Sequence, residues 1–324
     1  MRLGKLSPDE LRSVVFSKLT TQRPEVVLAA ALGEDSAALD LSSDLCVVST
    51  DPITGASAEI GRLGVFIACN DVATNGAEPV GILLTIFAPP QATLEDIALV
   101  MDQATEAAAE VGVQIIGGHT EVTAAVNQMI ISCTAIGRVA PDKLLHTGLA
   151  KSGDALVLVR TAGLEGTAII AGDHGELLLD IFTEEELLEA RSFSRYLNIV
   201  PAAILARVNG AVSMHDVTEG GVLGAAYEMA EAAGLGLELT AIPVHPLTIK
   251  LCRHLSLDPL RLISSGALLV ATPTPDQVTS ALLVNGIPAQ QIGSFLSHSS
   301  KVTLMGEELH PPNGDELWAF KSKY

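Results

Sequence analysis

Asn70-Asp71-Val72-Ala73-Thr74-Asn75-Gly76-Ala77 closes a run of small apolar residues. The spacing before it predicts a helix over Glu59–Ala73, and Gly76 just beyond reads as its stop. Val80–Ala88 follows as a strand ended by Pro89-Pro90. Asp71 sits in the stretch Val65–Ala73, which is otherwise apolar apart from Asn70. A carboxylate placed there without a partner is costly. It persists when it binds a cation, accepts backbone N–H groups or takes part in chemistry.

The pattern outward from this helix–strand pair is mixed. Ser7-Pro8-Asp9-Glu10 reads as a capping box opening a helix to about Leu19. Leu45–Ser49 reads as a strand, Thr93–Val111 as a helix opened by Thr93 with Asp96 three residues on, and Val113–Ile116 and Met129–Val139 as strands. A second series has strands at Ala155–Val159, Leu235–Leu239 and Ala267–Ala271, and helices at Leu164–Ala171, Thr183–Ser192, Glu219–Ala233 and Pro275–Val284. Ser300–Glu307 reads as a strand and turn. The class is therefore α/β or α+β. The segment Pro141–Gly153, rich in Gly, Pro and Lys, predicts a boundary between a domain over 1–145 and another over 150–324.

The 324 residues are 48% hydrophobic but only 3% aromatic, so small side chains fill the core. Mean hydropathy is +0.40. No run approaches the ~18–20 apolar residues of a membrane helix, so the surplus apolar surface hints at a homodimer. The start MRLGKLSPDEL shows no hydrophobic signal segment, from which a cytoplasmic protein is expected. A net charge of −19 argues against nucleic acid or an anionic membrane as partner. Clustered carboxylates can still bind a nucleotide's phosphates through shared Mg²⁺. Cys46, Cys69, Cys133 and Cys252 form no CxxC pair and read as reduced core residues.

Five polar clusters stand out. Gly33-Glu34-Asp35-Ser36-Ala37-Ala38 is a turn with carboxylates. Ser49-Thr50-Asp51-Pro52 sits at a strand exit. The third holds Asn70 and Asp71. Gly117-Gly118-His119-Thr120-Glu121 follows the strand Val113–Ile116, and Met214-His215-Asp216-Val217-Thr218-Glu219-Gly220-Gly221 leads into a helix. Asp35, Asp51 and Asp71 converging on one Mg²⁺ resolve the cost of their placement. A turn at Gly117-Gly118 lets backbone N–H groups approach an anion, and the helix start near Gly220 offers the same. Each cluster has a plainer reading: Asp35 as a turn cap, Asp51 before Pro52 as a loop start, His119 as a satisfied polar side chain, and Gly220-Gly221 as a cap with a flexible pair. No GxxxxGK[ST] loop, GxGxxG fingerprint or GxSxG elbow is present.

In this order the segments GEDSAAL (33–39), STD (49–51), NDVATNGAEP (70–79), GGHTE (117–121) and HDVTEGG (215–221) resemble the AIR synthase (PurM-like) superfamily, closest to its hydrogenase-maturation HypE-like branch. The resemblance implies an N-terminal α/β domain that binds ATP and pairs with its twin in a dimeric β-barrel, a C-terminal α+β domain, and ATP in the cleft between them. It implies Asp35, Asp51 and Asp71 as Mg²⁺ and phosphate ligands. Asp216, Gly220 and Gly221 fall on the superfamily's second-domain motif; Asn70, Gly117 and Gly118 are taken as further nucleotide contacts, and Asp71, His119 and Glu121 as the catalytic candidates. Members use ATP to phosphorylate an oxygen of a small-molecule substrate, often an amide or carbonyl oxygen.

Two features depart from the pattern. HypE proteins end in a tail whose terminal cysteine carries the carbamoyl or cyano group, whereas the residues here end Ala319–Tyr324 and Cys252 is the last cysteine. Where an acidic residue commonly follows the glycines, this sequence has His119. Three readings are carried forward: an ATP-dependent enzyme; a non-catalytic ATP-binding scaffold acting with a maturation partner protein; and a metal-dependent hydrolase using His119, Glu121, His215 and Asp216. A thiamine-monophosphate kinase-like phosphotransferase is a variant of the first.

Overall fold

The computed structural model describes residues 4–5, 8–28, 38–54, 59–297, 301–311 and 314–323. It divides into two compact units, residues 1–73 with 77–144 and residues 74–76 with 145–324. Ser7 and the GEDSA cluster with Asp35 lie outside the described residues.

In the first unit the elements run β1 (Gly4–Lys5), α1 (Pro8–Val14), β2 (Val26–Leu28), β3 (Ala38–Leu39), β4 (Leu45–Ile53), α2 (Ile60–Thr74), β5 (Glu78–Ala88), α3 (Leu94–Val111), β6 (Gln114–Val122) and β7 (Ile130–Val139). Five strands form one sheet in the order β1-β6-β5-β7-β4, with β5 and β6 parallel and the other pairs antiparallel. Helix α2 is buried over most of its length, including Val65, Phe66, Ala68, Cys69, Val72 and Ala73. It covers one sheet face so closely that a Cβ on Gly64 would lie 2.4 Å from Ile131 Cδ1, and one on Gly137 2.3 Å from Val72 Cγ1. Helix α3 begins with the expected capping box between Thr93 and Asp96 and ends at Gly112 in the left-handed region, φ +79°.

Two strands are longer than the sequence suggests. β4 runs on through Thr50, Asp51 and Pro52 to Ile53. It is the last strand in the order, and an edge strand tolerates the missing N–H of Pro52. β6 likewise does not turn at its glycines. Leu83 pairs with Gly117 and Leu84 with Gly118, and the ladder continues to Val122. Gly118 has φ +149°, and a Cβ there would sit 1.9 Å from Leu84 O. The glycine thus serves a close strand approach rather than a turn.

The second unit holds β8 (Ala155–Val159), α4 (Leu164–Asp173), α5 (Glu184–Arg191), α6 (Val200–Val208), β9 (Ser213–Asp216), α7 (Gly221–Ala233), β10 (Gly236–Leu239), α8 (Pro246–Leu255), β11 (Leu268–Thr272), α9 (Pro275–Val284), β12 (Ala289–Leu296), β13 (Val302–Leu304), β14 (Glu307–Glu308) and α10 (Glu316–Lys321). Seven strands are ordered β14-β13-β10-β12-β8-β11-β9, all antiparallel except β10 with β13. β8 and β11 are buried throughout, as continuous apolar runs in a sheet covered on both faces should be. One apolar cluster joins Ala225, Ala226 and Met229 of α7 to Leu156, Leu158 and Phe295 of the sheet; a second joins α4, α5, α8 and α10. The α/β class read from the sequence is what forms, with small residues filling the core. Among the described residues, no helix is long and apolar enough to cross a membrane.

Candidate functional site

Ser49 and Asp51 are two residues apart on β4 and so share a face. Asp51 pairs with Cys133 across the ladder, on the side covered by α2. From α2, Asp71 Oδ2 accepts the Ser49 hydroxyl at 2.5 Å, and Asp51 Oδ2 lies 3.4 Å from the same oxygen. Two carboxylates thus converge on one hydroxyl in the first unit. Asn70, next to Asp71, is 1% exposed.

The donors at this point are hard oxygens, which suits Mg²⁺, an ion held by one or two carboxylates with phosphate oxygens completing its shell. Two thiols lie close by. Burial first, and the Asp71 charge second, push Cys69 far above the usual thiol range. Burial, Cys69 and Asp51 do the same to Cys133. Both stay protonated, so neither competes as a soft ligand. Among the described residues no three His, Cys, Asp or Glu side chains are grouped to hold a metal. Asp51 and Asp71 are two expected ligands, and Asp35 lies outside the described residues.

His119 and Glu121 form their own pair on β6, with Nε2 2.9 Å from Oε2. The sequence grouped them with Asp71 as catalytic residues, but in this chain they do not join it. β5 and β7 separate β6 from β4. His119 is in register with Thr85 and, through it, Ser132, whereas Gly118 is in register with Leu84 and Cys133. Strand alternation therefore puts His119 and Glu121 on the sheet face away from α2, opposite Ser49 and Asp51. Gly117 and Gly118 lie inside this ladder and form no anion-binding turn.

In the second unit, β9 ends at Asp216, and Val217–Gly220 turn into α7. Gly220 (φ +83°) and Gly221 (φ +63°) hold left-handed conformations, and a Cβ on Gly221 would sit 2.5 Å from Leu260 O. The amides of this helix start are largely committed. Gly220 N–H donates to Asp315 Oδ2 at 2.8 Å, Gly221 N–H to Thr218 O at 3.1 Å and Leu223 N–H to Leu260 O at 3.2 Å. The structure thus gives the glycine pair a packing role in addition to any anion contact.

Buried carboxyls surround this turn. Asp216, Glu165 and Asp315 are 8%, 5% and 4% exposed. Burial pushes Glu165 up to about 7, opposed by hydrogen bonds from Ser265 and helped by the Asp315 and Asp216 charges. Burial also raises Asp315, against backbone N–H groups of Leu317, Gly220 and Ile263. Sequence reading named neither carboxylate as a site residue. Glu165 lies in the glycine-rich Gly163-Leu164-Glu165-Gly166-Thr167, and a lone carboxylate between Leu164 and Gly166 was the available signal. Asp315 comes from far downstream in the sequence, with no local signal.

His215 donates from Nδ1 to Asp216 O at 2.6 Å and from Nε2 to Glu228 Oε2 at 3.0 Å. Both ring nitrogens are therefore engaged, which removes His215 as a metal ligand for the hydrolase reading. A cavity of about 280 Å³ in the first unit, lined by Ile60, Pro89, Gln91, Asp96, Gln103 and Met129 among others, contains none of these site residues.

Residues 33–139 match the family model described as AIR synthase related protein, N-terminal domain, and residues 151–304 match AIR synthase related protein, C-terminal domain. The chain is 29% identical over 287 residues to carbamoyl dehydratase HypE of Rhodobacter capsulatus, covering 86% of this chain and 81% of that protein. It is 31% identical over 264 residues to carbamoyl dehydratase HypE of Cupriavidus necator, covering 79% and 72%. Among solved structures, E. coli HypE, a hydrogenase maturation protein, superposes with a TM-score of 0.79 at 25% identity, covering 95% of this chain and 98% of that one. Hydrogenase maturation protein HypE in complex with ATP gives 0.78 at 24% identity, covering 94% of each. Thiamine-monophosphate kinase from Stenotrophomonas maltophilia gives 0.74 at 20%, covering 93% and 96%.

Proposed function

The chain belongs to the AIR synthase-related family, on its HypE-like branch, and from that premise we propose that it is an ATP- and Mg²⁺-dependent enzyme that activates a carbonyl- or carbamoyl-type oxygen of a small substrate by phosphorylation. The observation that carries this reading is the convergence of Asp51 and Asp71 on the Ser49 hydroxyl. A carboxylate pair on a strand and a largely buried helix gains little for folding, and it suits a metal–phosphate ligand. When bound, Mg²⁺ screens charge on the phosphate oxygens and stabilises the charge of phosphoryl transfer. Asp51 and Asp71 hold it, Ser49 fixes the direction of the Asp71 carboxylate, and the neighbouring thiols remain neutral. Within the second unit, this reading takes the Asp216 turn as a nucleotide contact.

We extend the reading to a homodimer. The sheet face away from α2 carries Val48, 58% exposed, and half-buried Ile136, Leu83 and Phe87. A second copy covering this face accounts for that apolar surface.

Phosphate release from ATP tests the function, measured with and without Mg²⁺ against a panel of amide, carbamoyl and phosphorylated metabolites. Mg²⁺-dependent turnover with at least one substrate, reduced more than about 100-fold in Asp71→Asn with the fold intact, is the expected result. Tight ATP binding without turnover on any substrate supports the scaffold reading instead.

A further inference from the structure

His215 lies outside the acid site of the first unit, and its hydrogen bonds fix its protonation. Nδ1 faces a backbone carbonyl, Asp216 O at 2.6 Å, which can only accept. Nε2 faces Glu228 Oε2 at 3.0 Å, a carboxylate. Each ring nitrogen must then carry a proton, so the ring is an imidazolium. The Asp216 carboxylate stands 3.6 Å from Nδ1 and completes the cation's surroundings. Burial works against this charge, yet the bonds to Asp216 and Glu228 outweigh it and raise the ring to about 10; the same pairing lowers Glu228.

Among the described residues, no other charged side chain pairs with the ring. Across the ladder, His215 pairs with Leu269 of β11. The turn Thr147–Leu149, which receives the Ser213 hydroxyl through Thr147 O, is uncharged. Among the described residues, the charged partners of the ring are Asp216 on its own strand and Glu228 on α7.

Deepening the nucleotide reading above and resting on it for its role in binding, we propose that His215 is a positioning residue. Its two N–H groups clamp the end of β9 to α7 and so fix the turn Val217–Gly221 and the direction in which the Asp216 carboxylate leaves the strand. A neutral ring makes one of the two donations and not both, and an amide carries both of its N–H groups on a single nitrogen that cannot stand at both ring positions, whereas arginine keeps the charge and several donors on separate nitrogens.

Three measurements on the full chain test this. Nitrogen-detected NMR of the imidazole at pH 8 should show both ring nitrogens protonated, and Glu228→Gln should lower the titration midpoint by about one unit or more. Amide exchange across 217–221 should accelerate about tenfold or more in His215→Gln, with β12 unchanged and His215→Arg close to wild type. ATP affinity, by calorimetry, should fall about tenfold in His215→Gln and recover in His215→Arg. A single neutral tautomer at pH 8, or unchanged exchange over 217–221 in His215→Gln, overturns the proposal. Failure of the wild type to bind ATP overturns the nucleotide reading alone, and the exchange and NMR results then decide whether His215 holds the turn.

Discussion

Ser49 donates its hydroxyl to Asp71 across the interface of strand β4 and helix α2, 2.5 Å from Oγ to Oδ2, and the same oxygen stands 3.4 Å from Asp51 Oδ2. The hydroxyl holds two carboxylates near one point, an arrangement that suits a shared cation.

Ser49→Ala removes the hydroxyl that donates to Asp71 and stands beside Asp51. Loss of a hydrogen bond to a charged group should cost about 1–3 kcal/mol in metal-free protein. Urea unfolding without Mg²⁺ measures this. ATP affinity in Mg²⁺ should weaken about tenfold in the same variant; unchanged stability and affinity would show that the hydroxyl is incidental.

Glu165 sets a pH dependence. Its folded value of about 7 lies above its ordinary 4.5. Its contribution to stability is fully present below pH 4.5 and is lost as pH rises through 7. Glu165→Gln removes that loss, so the variant should exceed wild type at pH 8 by on the order of 3 kcal/mol and match it near pH 4.5. Denaturant unfolding at several pH values checks the crossing; parallel curves for the two proteins would refute it.

Gly118→Ala should break the β5–β6 ladder, because its Cβ meets Leu84 O at 1.9 Å. A loss of about 2–4 kcal/mol, read as a lower Tm, is expected. A variant as stable as wild type would mean that β6 lies differently against β5.

Val48→Asp places a charge on the exposed sheet face opposite α2. Light scattering after gel filtration should give a dimer for wild type and a folded monomer for the variant. An unchanged mass for the variant would direct the dimer contact to another surface.

Much of this was legible in the sequence because local signals agreed with long-range ones. The Thr93–Asp96 capping box formed as read, and Pro275–Val284 is a helix over those same residues. The Asp51–Asp71 pairing followed from two carboxylates whose placement needed a partner. Other features depend on tertiary contact. β6 continues through Gly117 and Gly118 because β5 supplies its ladder, and nothing local distinguishes that from a turn. The sheet order that removes His119 and Glu121 from Asp71 is equally invisible to spacing along the chain. Asp315 reaches the Gly220 amide from a distant segment, so sequence pattern alone could not join them.

Calorimetric titration of a non-hydrolysable ATP analogue into wild type and Asp71→Asn, each with and without Mg²⁺, bears most directly on the site. Wild type should bind about tenfold or more tightly with Mg²⁺ than without it, and Asp71→Asn should lose that difference while keeping its Tm. Equal affinity in wild type with and without the ion, or an undiminished Mg²⁺ effect in Asp71→Asn, would contradict a metal–phosphate role for Asp71.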